Sequence, residues 1–151
     1  MVAGNTSGLT YHMYKMGIEE ALRSFREMGF TEMEVGHTHS LKVLKKFSDS
    51  MDFRSYHHYT KCRLDTGFDE LVDELERPLE IAEALDIEYL SFHPFYKNSF
   101  ETAVENLDKL RKKVEPELLI ENATAGSENR LVTTPDDFKR VLDLGCDVCL
   151  L

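Results

Sequence analysis

Two histidines and a glutamate stand at the ends of three consecutive predicted strands. Apolar runs predict one buried strand that finishes at His93 and a following strand that finishes at Glu121. The strand before them is predicted to finish at His57 and His58. Parallel strands present their carboxyl ends at one edge of a sheet, so these side chains are expected to meet there. Imidazoles and carboxylates bind zinc, manganese and cobalt, so the sequence predicts a divalent-metal site of His57, His93 and Glu121.

Only one of the two adjacent histidines can face this site, because neighbours on a strand point to opposite sides. His57 is favoured since it shares its side with Ser55, and His58 stays as the alternative. Pro94 follows His93 and is expected to turn the chain out of its strand, because proline cannot donate a ladder hydrogen bond. A single histidine at a strand end is more often a hydrogen-bonded cap than a ligand. Three candidates on consecutive strands favour a site over that simpler interpretation.

Other polar residues near these strand ends are candidates for catalysis and substrate contact. Glu121 and His93 are the candidate catalytic residues, because a carboxylate and an imidazole can both move protons. The residues assigned to substrate contact are Glu34, His37, Lys97 and Asn122. Glu34 could equally pair with a lysine, and Lys97 and Arg130 could contact an anionic group of the substrate.

The elements that would position these residues alternate between helix and strand along the chain. Amphipathic periodicity predicts five helices and about six strands. Ser99 is a candidate N-cap, Thr134 is another with Pro135 in the first helical position, and Pro78 should kink or divide the third helix. Such alternation predicts an α/β fold with a parallel sheet covered by helices.

A TIM-barrel-like arrangement is the preferred architecture. No glycine-rich phosphate-binding or dinucleotide-binding motif follows a predicted strand, which disfavours the nucleotide-binding open sheets. A complete barrel takes about 250 residues, whereas this chain has 151. We therefore expect residues 1–151 to form one domain, an incomplete barrel of about six strands and five helices.

Charge and composition limit the kinds of partner that the chain is expected to bind. Lysine and arginine total 18 against 28 acidic residues, a formal net charge of −10, which makes nucleic acid an unfavourable partner. The sequence has neither a membrane-length apolar run nor a signal-peptide layout at its start, so a cytoplasmic location without membrane contact is expected. The three cysteines are an odd count, which argues against a disulfide framework.

The order of these features resembles the xylose-isomerase-like TIM-barrel superfamily, which includes family 2 apurinic endonucleases and sugar isomerases and epimerases. The resemblance covers nearly the whole chain and rests on the runs GIEEALRSFREMGFTEMEVG, SYHHY, EIAEALDIEYLSFHP, LLIENATAG and TTPDDFKRVLDLGCDVCLL. It implies a divalent metal bound by His57, His93 and Glu121, with Glu34 as a frequent acid of the second strand. It also implies further ligands after the sixth strand, where this chain ends, so the barrel is expected to be truncated.

Three functions are compatible with these patterns. The first is a metal-dependent isomerase or epimerase of a sugar, sugar phosphate or polyol. The second is a metal-dependent phosphodiesterase like the apurinic endonucleases, which the acidic charge disfavours. The third is a non-catalytic partial barrel that associates with its own copies through unpaired strand edges. A homo-oligomer is therefore expected.

Overall fold

A computed structural model describes residues 3–4, 16–36, 40–121 and 130–149. Within those ranges the strands are β1 (Ala3–Gly4), β2 (Glu32–Gly36), β3 (Asp52–Arg63), β4 (Tyr89–Phe95), β5 (Glu117–Glu121) and β6 (Asp147–Cys149). The helices are α1 (Ile18–Glu27), α2 (Leu41–Leu44), α3 (Phe68–Glu74), α4 (Glu76–Leu85), α5 (Phe100–Lys113) and α6 (Pro135–Asp143). Among them, no helix is both long and apolar enough to cross a bilayer.

The six strands form one parallel sheet in the order β1-β2-β3-β4-β5-β6. Each strand thus lies beside the strand that precedes it in the chain, as expected when helical crossovers all pass over the same face. The predicted α/β fold with TIM-barrel-like repeats is confirmed. The described part has one helix more than the five predicted.

The additional helix arises from Pro78. The long helix predicted here is two helices, with α3 ending at Glu74 and α4 beginning at Glu76. Pro78 cannot donate a hydrogen bond to the carbonyl of Glu74, four residues earlier, and its ring crowds that carbonyl. The predicted division of this helix is therefore confirmed.

Side-chain caps fix the starts of the two helices that follow β4 and β5. Ser99 Oγ accepts a hydrogen bond from the backbone N–H of Thr102 at 3.1 Å. Thr134 Oγ1 accepts from the N–H of Asp137, whose carboxylate accepts in return from the N–H of Thr134 at 2.9 Å. Such reciprocal caps satisfy amides that the helix itself leaves unpaired. Both caps agree with the sequence prediction.

The hydrophobic core lies between one face of the sheet and the helices. Side chains alternate along each strand, so every second residue points into this core. Strand residues that are at most 2% exposed include Met33, Val35, Tyr56, Leu90, Phe92, Leu118 and Ile120. The helices contribute Leu22, Leu71, Leu107 and Leu110, and Leu75 lies between α3 and α4; all five are fully buried. The intervening strand residues face the other side of the sheet, which leaves that side for polar chemistry.

Two strands run further than the sequence indicated. Strand β3 does not finish at His57 and His58 but continues to Arg63, and β4 continues through Pro94 to Phe95. Both predicted endpoints were wrong. Between the pairs His58↔Phe92 and Lys61↔His93, β3 advances three residues for one residue of β4, a local irregularity that keeps the strands paired.

The position of Pro94 explains why β4 tolerates it. The carbonyl of Pro94 accepts a hydrogen bond from the N–H of Leu131 at 3.3 Å, on the side of β4 that faces β5. Pairing with β5 has already ended at Phe92↔Ile120. Because a residue of a parallel strand directs its N–H and C=O to the same neighbour, the missing N–H of Pro94 falls where no ladder bond is needed.

A buried carboxylate joins the end of β3 to the loop after β4. Asp65, whose side chain is 1% exposed, accepts hydrogen bonds from the backbone N–H groups of Lys97, Asn98 and Ser99 and from Arg63 Nε at 2.9 Å. Burial alone would raise the pKa of Asp65, but these four donors outweigh it and hold that pKa well below its usual range. Asp65 therefore fixes the loop that follows His93.

We predict that Asp65→Asn lowers the free energy of unfolding at neutral pH by about 1–3 kcal/mol, because the amide group turns an NH₂ toward backbone donors. The folded-state pKa lies below the unfolded value of about 3.9, so the contribution is complete above that pH and is lost as the pH falls toward the folded-state pKa. Urea unfolding at a series of pH values measures both effects. Asp49→Asn, at an exposed position, is the control. Equal stabilities of the two variants would show that the Asp65 carboxylate does not stabilise the fold.

Candidate metal centre

Four adjacent strands place polar side chains on the face of the sheet opposite the helices. In the register of the sheet, Gly36 of β2 pairs with His57 of β3, which pairs with Ser91 of β4. His93 lies two residues beyond Ser91 on the same side, and Glu121 ends β5. The side chains from neighbouring strands therefore converge, and their separations follow from strand spacing and alternation.

The convergence brings together His57, His93 and Glu121. His57 Nε2 lies 3.0 Å from Glu121 Oε1, His93 Nδ1 lies 3.0 Å from Glu121 Oε2, and the two Nε2 atoms are 3.2 Å apart. One potential ligand atom from each residue lies within 4.8 Å of the others. With metal–ligand bonds of about 2.0–2.1 Å, the ligands of a tetrahedral ion are about 3.3 Å apart. Each of the three contacts is close to that value, while a set of one atom per residue lies within the wider limit of 4.8 Å.

One oxygen of Glu121 is available to a cation. The Glu121 side chain is 4% exposed, and its Oε2 atom is buried without a hydrogen bond from any described residue. His93 Nδ1 is near this oxygen, but the contact does not have hydrogen-bond geometry. A buried carboxylate oxygen without a donor is unfavourable, and a bound cation would satisfy it. The three residues could therefore hold a divalent metal ion.

The charges of His57 and Glu121 stabilise each other. Burial disfavours the charged form of His57, but contacts with Glu121 and Glu34 outweigh burial and raise the pKa of His57 to about 9. Burial would raise the pKa of Glu121, yet hydrogen bonds from His57 and Ser91 lower it from its usual value. At neutral pH the pair is therefore an imidazolium and a carboxylate, and a metal ion that bound His57 would have to displace a proton.

His93 behaves differently from His57. Its side chain is 28% exposed, twice the 14% of His57, so it lies toward the open side of the site. Burial lowers the pKa of His93, and the charges of His57 and Arg130 lower it further against the opposing effect of Glu121. His93 is thus neutral at neutral pH and has a lone pair available for a proton or a metal ion.

Two serines that the sequence analysis did not identify as functional contact the acidic side chains Glu121 and Glu34. Ser91 is 3% exposed, and its Oγ donates to Glu121 Oε1 at 2.8 Å. Ser55 Oγ lies 3.5 Å from Glu34 Oε2. Each serine precedes a site histidine by two residues, so the alternation of a strand places it on the same face. That i,i+2 spacing is the signal that could have identified them.

The other residues that the sequence predicted for the site do not all lie in it. His58 lies on the opposite face of β3, is 5% exposed, and has its Nε2 3.8 Å from Glu74; parity thus places His57 in the site. Glu34 contacts His57 rather than a lysine among the described residues. Lys97 is exposed and gives its backbone N–H to Asp65. His37 and Asn122 lie outside the described residues.

Solved structures share this fold. A xylose isomerase domain containing protein from Salmonella typhimurium matches with a TM-score of 0.70 and 12% identity, over 98% of this chain. A double variant of 2-keto-3-deoxygluconate aldolase from Sulfolobus solfataricus matches with a TM-score of 0.51 and 16% identity, over 87% of this chain. The chain spans 58% and 45% of those two chains, respectively. No family model and no curated protein matches the sequence. The chain therefore shares the β/α fold of these structures over part of their length.

We predict that Ser91→Ala lowers the free energy of unfolding by about 1.5–3 kcal/mol, because it removes a short hydrogen bond to a buried carboxylate. Ser55→Ala removes only a 3.5 Å contact and is expected to change stability by less than about 0.5 kcal/mol. Chemical denaturation of the two variants and the parent chain measures the difference. Equal losses from both serines would show that the Ser91–Glu121 hydrogen bond does not stabilise the site.

Proposed function

We propose that this chain is a divalent-metal-dependent isomerase or epimerase acting on a sugar, sugar phosphate or related polyol. The observation that carries the proposal is the group of two imidazoles and a buried carboxylate on the open face of the sheet, with one carboxylate oxygen lacking a donor among the described residues. The names of the two similar structures, a xylose isomerase domain and an aldolase of a keto sugar acid, support a carbohydrate substrate.

The three ligands have distinct parts in this proposal. His57, His93 and Glu121 would hold a zinc, manganese or cobalt ion and leave coordination positions for substrate oxygens. A bound ion of this kind polarises carbonyl and hydroxyl oxygens. Glu121, whose pKa is lowered, is ionised and a weak base, so it serves chiefly as a ligand. Ser91 holds it in place through the hydrogen bond to Oε1.

His93 is the proposed proton-transfer residue. It is neutral at neutral pH because burial lowers its pKa, and it is the most exposed of the three ligands. The single lone pair of a neutral imidazole serves either the metal ion or a proton. His93 would therefore transfer protons only while His57 and Glu121 hold the ion, accepting one from a substrate hydroxyl or from the carbon beside a carbonyl and returning it to the product. His37, Lys97 and Asn122 are proposed to bind the hydroxyl or anionic groups of the substrate.

The proposed location is the cytoplasm. Cys62 and Cys146 are buried free thiols, at 0% and 2% exposed. Burial raises the pKa of the Cys146 thiol to about 11 and raises that of Cys62 further, which keeps both thiols protonated and unreactive. Free thiols are typical of proteins in a reducing compartment.

We predict that the purified chain binds one Zn²⁺, Mn²⁺ or Co²⁺ ion and interconverts members of an aldose and ketose panel only when that ion is present. Titration calorimetry measures binding, and proton NMR of the sugar mixture measures turnover. Glu121→Gln should abolish turnover. It should also weaken metal affinity by more than about 100-fold, because losing a residue that only hydrogen-bonds a metal ligand already costs about 10–100-fold.

The matched control is His58→Gln, which removes the neighbouring imidazole from the opposite face of the same strand. It should leave metal binding unchanged, with circular dichroism to check that the variant folds. Metal binding without turnover of any sugar would exclude the isomerase proposal and keep the metal site. No binding to the parent chain would exclude both.

We also propose that copies of the chain associate. Within the described residues, β1 pairs only with β2 and β6 only with β5, so each of these strands has one edge without a described neighbour. Unpaired strand edges promote pairing with another chain. Size-exclusion chromatography with light scattering is expected to give a multiple of the chain mass. A single-chain mass at every concentration tested would contradict association.

A further inference from the structure

Glu34 lies behind His57, on the side away from the other two ligands. Its partner in the β2–β3 register is Ser55, two residues before His57. Glu34 Oε1 is 3.5 Å from His57 Nδ1, and Glu34 Oε2 is 3.5 Å from Ser55 Oγ. The Glu34 side chain is 25% exposed and the His57 side chain 14% exposed, so the contact is partly shielded from water. Both carboxylate oxygens are thus directed at β3.

The two nitrogens of His57 consequently face different partners. Nε2 lies at 3.0 Å from Glu121 and 3.2 Å from His93, in the group that could hold a metal ion, while Nδ1 faces Glu34. A metal ion binds an imidazole nitrogen that carries no proton, and the other nitrogen then keeps its N–H. A carboxylate beside Nδ1 favours the N–H on that atom. This leaves the lone pair on Nε2, where the other ligands lie.

Other roles for Glu34 agree less well with these contacts. As a ligand it would have to reach the opposite side of the His57 ring, and it is not part of the three-residue group. As a surface charge paired with a lysine it would need a partner that the described residues do not provide. The 3.5 Å contact is long for a hydrogen bond, but such contacts are often long before a ligand binds and shorten in the complex.

We infer that Glu34 is a positioning residue, which fixes the Nδ1–H tautomer and the ring orientation of His57 so that Nε2 can bind the metal ion. This inference rests on the proposed metal site. It replaces the substrate contact predicted for Glu34 from the sequence. Glu34 acts through His57 and needs no contact with substrate.

Three variants separate positioning from simple charge attraction, with Zn²⁺ alone as the probe. Glu34→Leu removes both the charge and the acceptor, and the Zn²⁺ dissociation constant should rise about 10–100-fold. Glu34→Gln removes the charge but keeps an amide oxygen that can accept a hydrogen bond from Nδ1–H of His57. The Zn²⁺ dissociation constant should therefore rise less than in Glu34→Leu. Glu32→Leu, on the same strand and face, removes an equal charge and should leave the constant unchanged. Chelator competition measures all three, and thermal melts establish that each variant folds.

Proton–nitrogen NMR of the zinc-loaded protein provides a direct readout. The parent chain should show a protonated Nδ1 and a metal-bound Nε2 for His57, and Glu34→Leu should lose or broaden the Nδ1–H signal. Equal losses of affinity in the Gln and Leu variants, or an unchanged Nδ1–H signal in Glu34→Leu, would overturn the positioning role and leave the metal site standing. Failure of the parent chain to bind Zn²⁺ would overturn the metal site itself.

Discussion

The site depends on the burial of one carboxylate. Glu121 is ionised in a position where its side chain is only 4% exposed. Removing a carboxylate from water costs several kcal/mol unless charges and hydrogen bonds replace the lost hydration. His57 and Ser91 supply part of that replacement from two neighbouring strands. The remaining oxygen has no hydrogen-bond donor among the described residues, and a bound cation could occupy that position.

The register of the sheet is what makes this arrangement possible. A shift of one residue in β3 would bring His58 to the open face and carry His57 into the core. Tyr56, Leu90 and Phe92 prevent such a shift, because each is fully buried against the helices on the opposite face. Packing of the apolar face thus determines which residues lie on the polar face. The xylose isomerase domain containing protein shares this fold with only 12% sequence identity.

Local patterns predicted much of this structure. Alternation along the strands was sufficient to prefer His57 over His58, and capping residues such as Thr134 marked helix boundaries correctly. Pro78 divides its helix through a local steric conflict, which can be predicted from the sequence without knowledge of the fold. The three candidate ligands could be proposed together because neighbouring parallel strands bring residues of one face close together, although β3 and β4 run past His57 and His93.

Contacts between distant segments could not be predicted in the same way. The extension of β3 to Arg63 depends on its pairing with β4, and Pro94 is tolerated there only because β5 has already ended. Asp65 resembles an ordinary turn residue until the loop after β4 folds over it. The role of Glu34 likewise needs the β2–β3 register, since sequence alone leaves its partner undetermined.

A zinc-edge anomalous difference map from a crystal soaked in Zn²⁺ tests the central claim most directly. The account predicts one strong peak at about 2.0–2.2 Å from a nitrogen of His57, a nitrogen of His93 and an oxygen of Glu121. Absence of density at that position in a crystal shown to contain zinc, or a peak bound only by surface carboxylates, would contradict it.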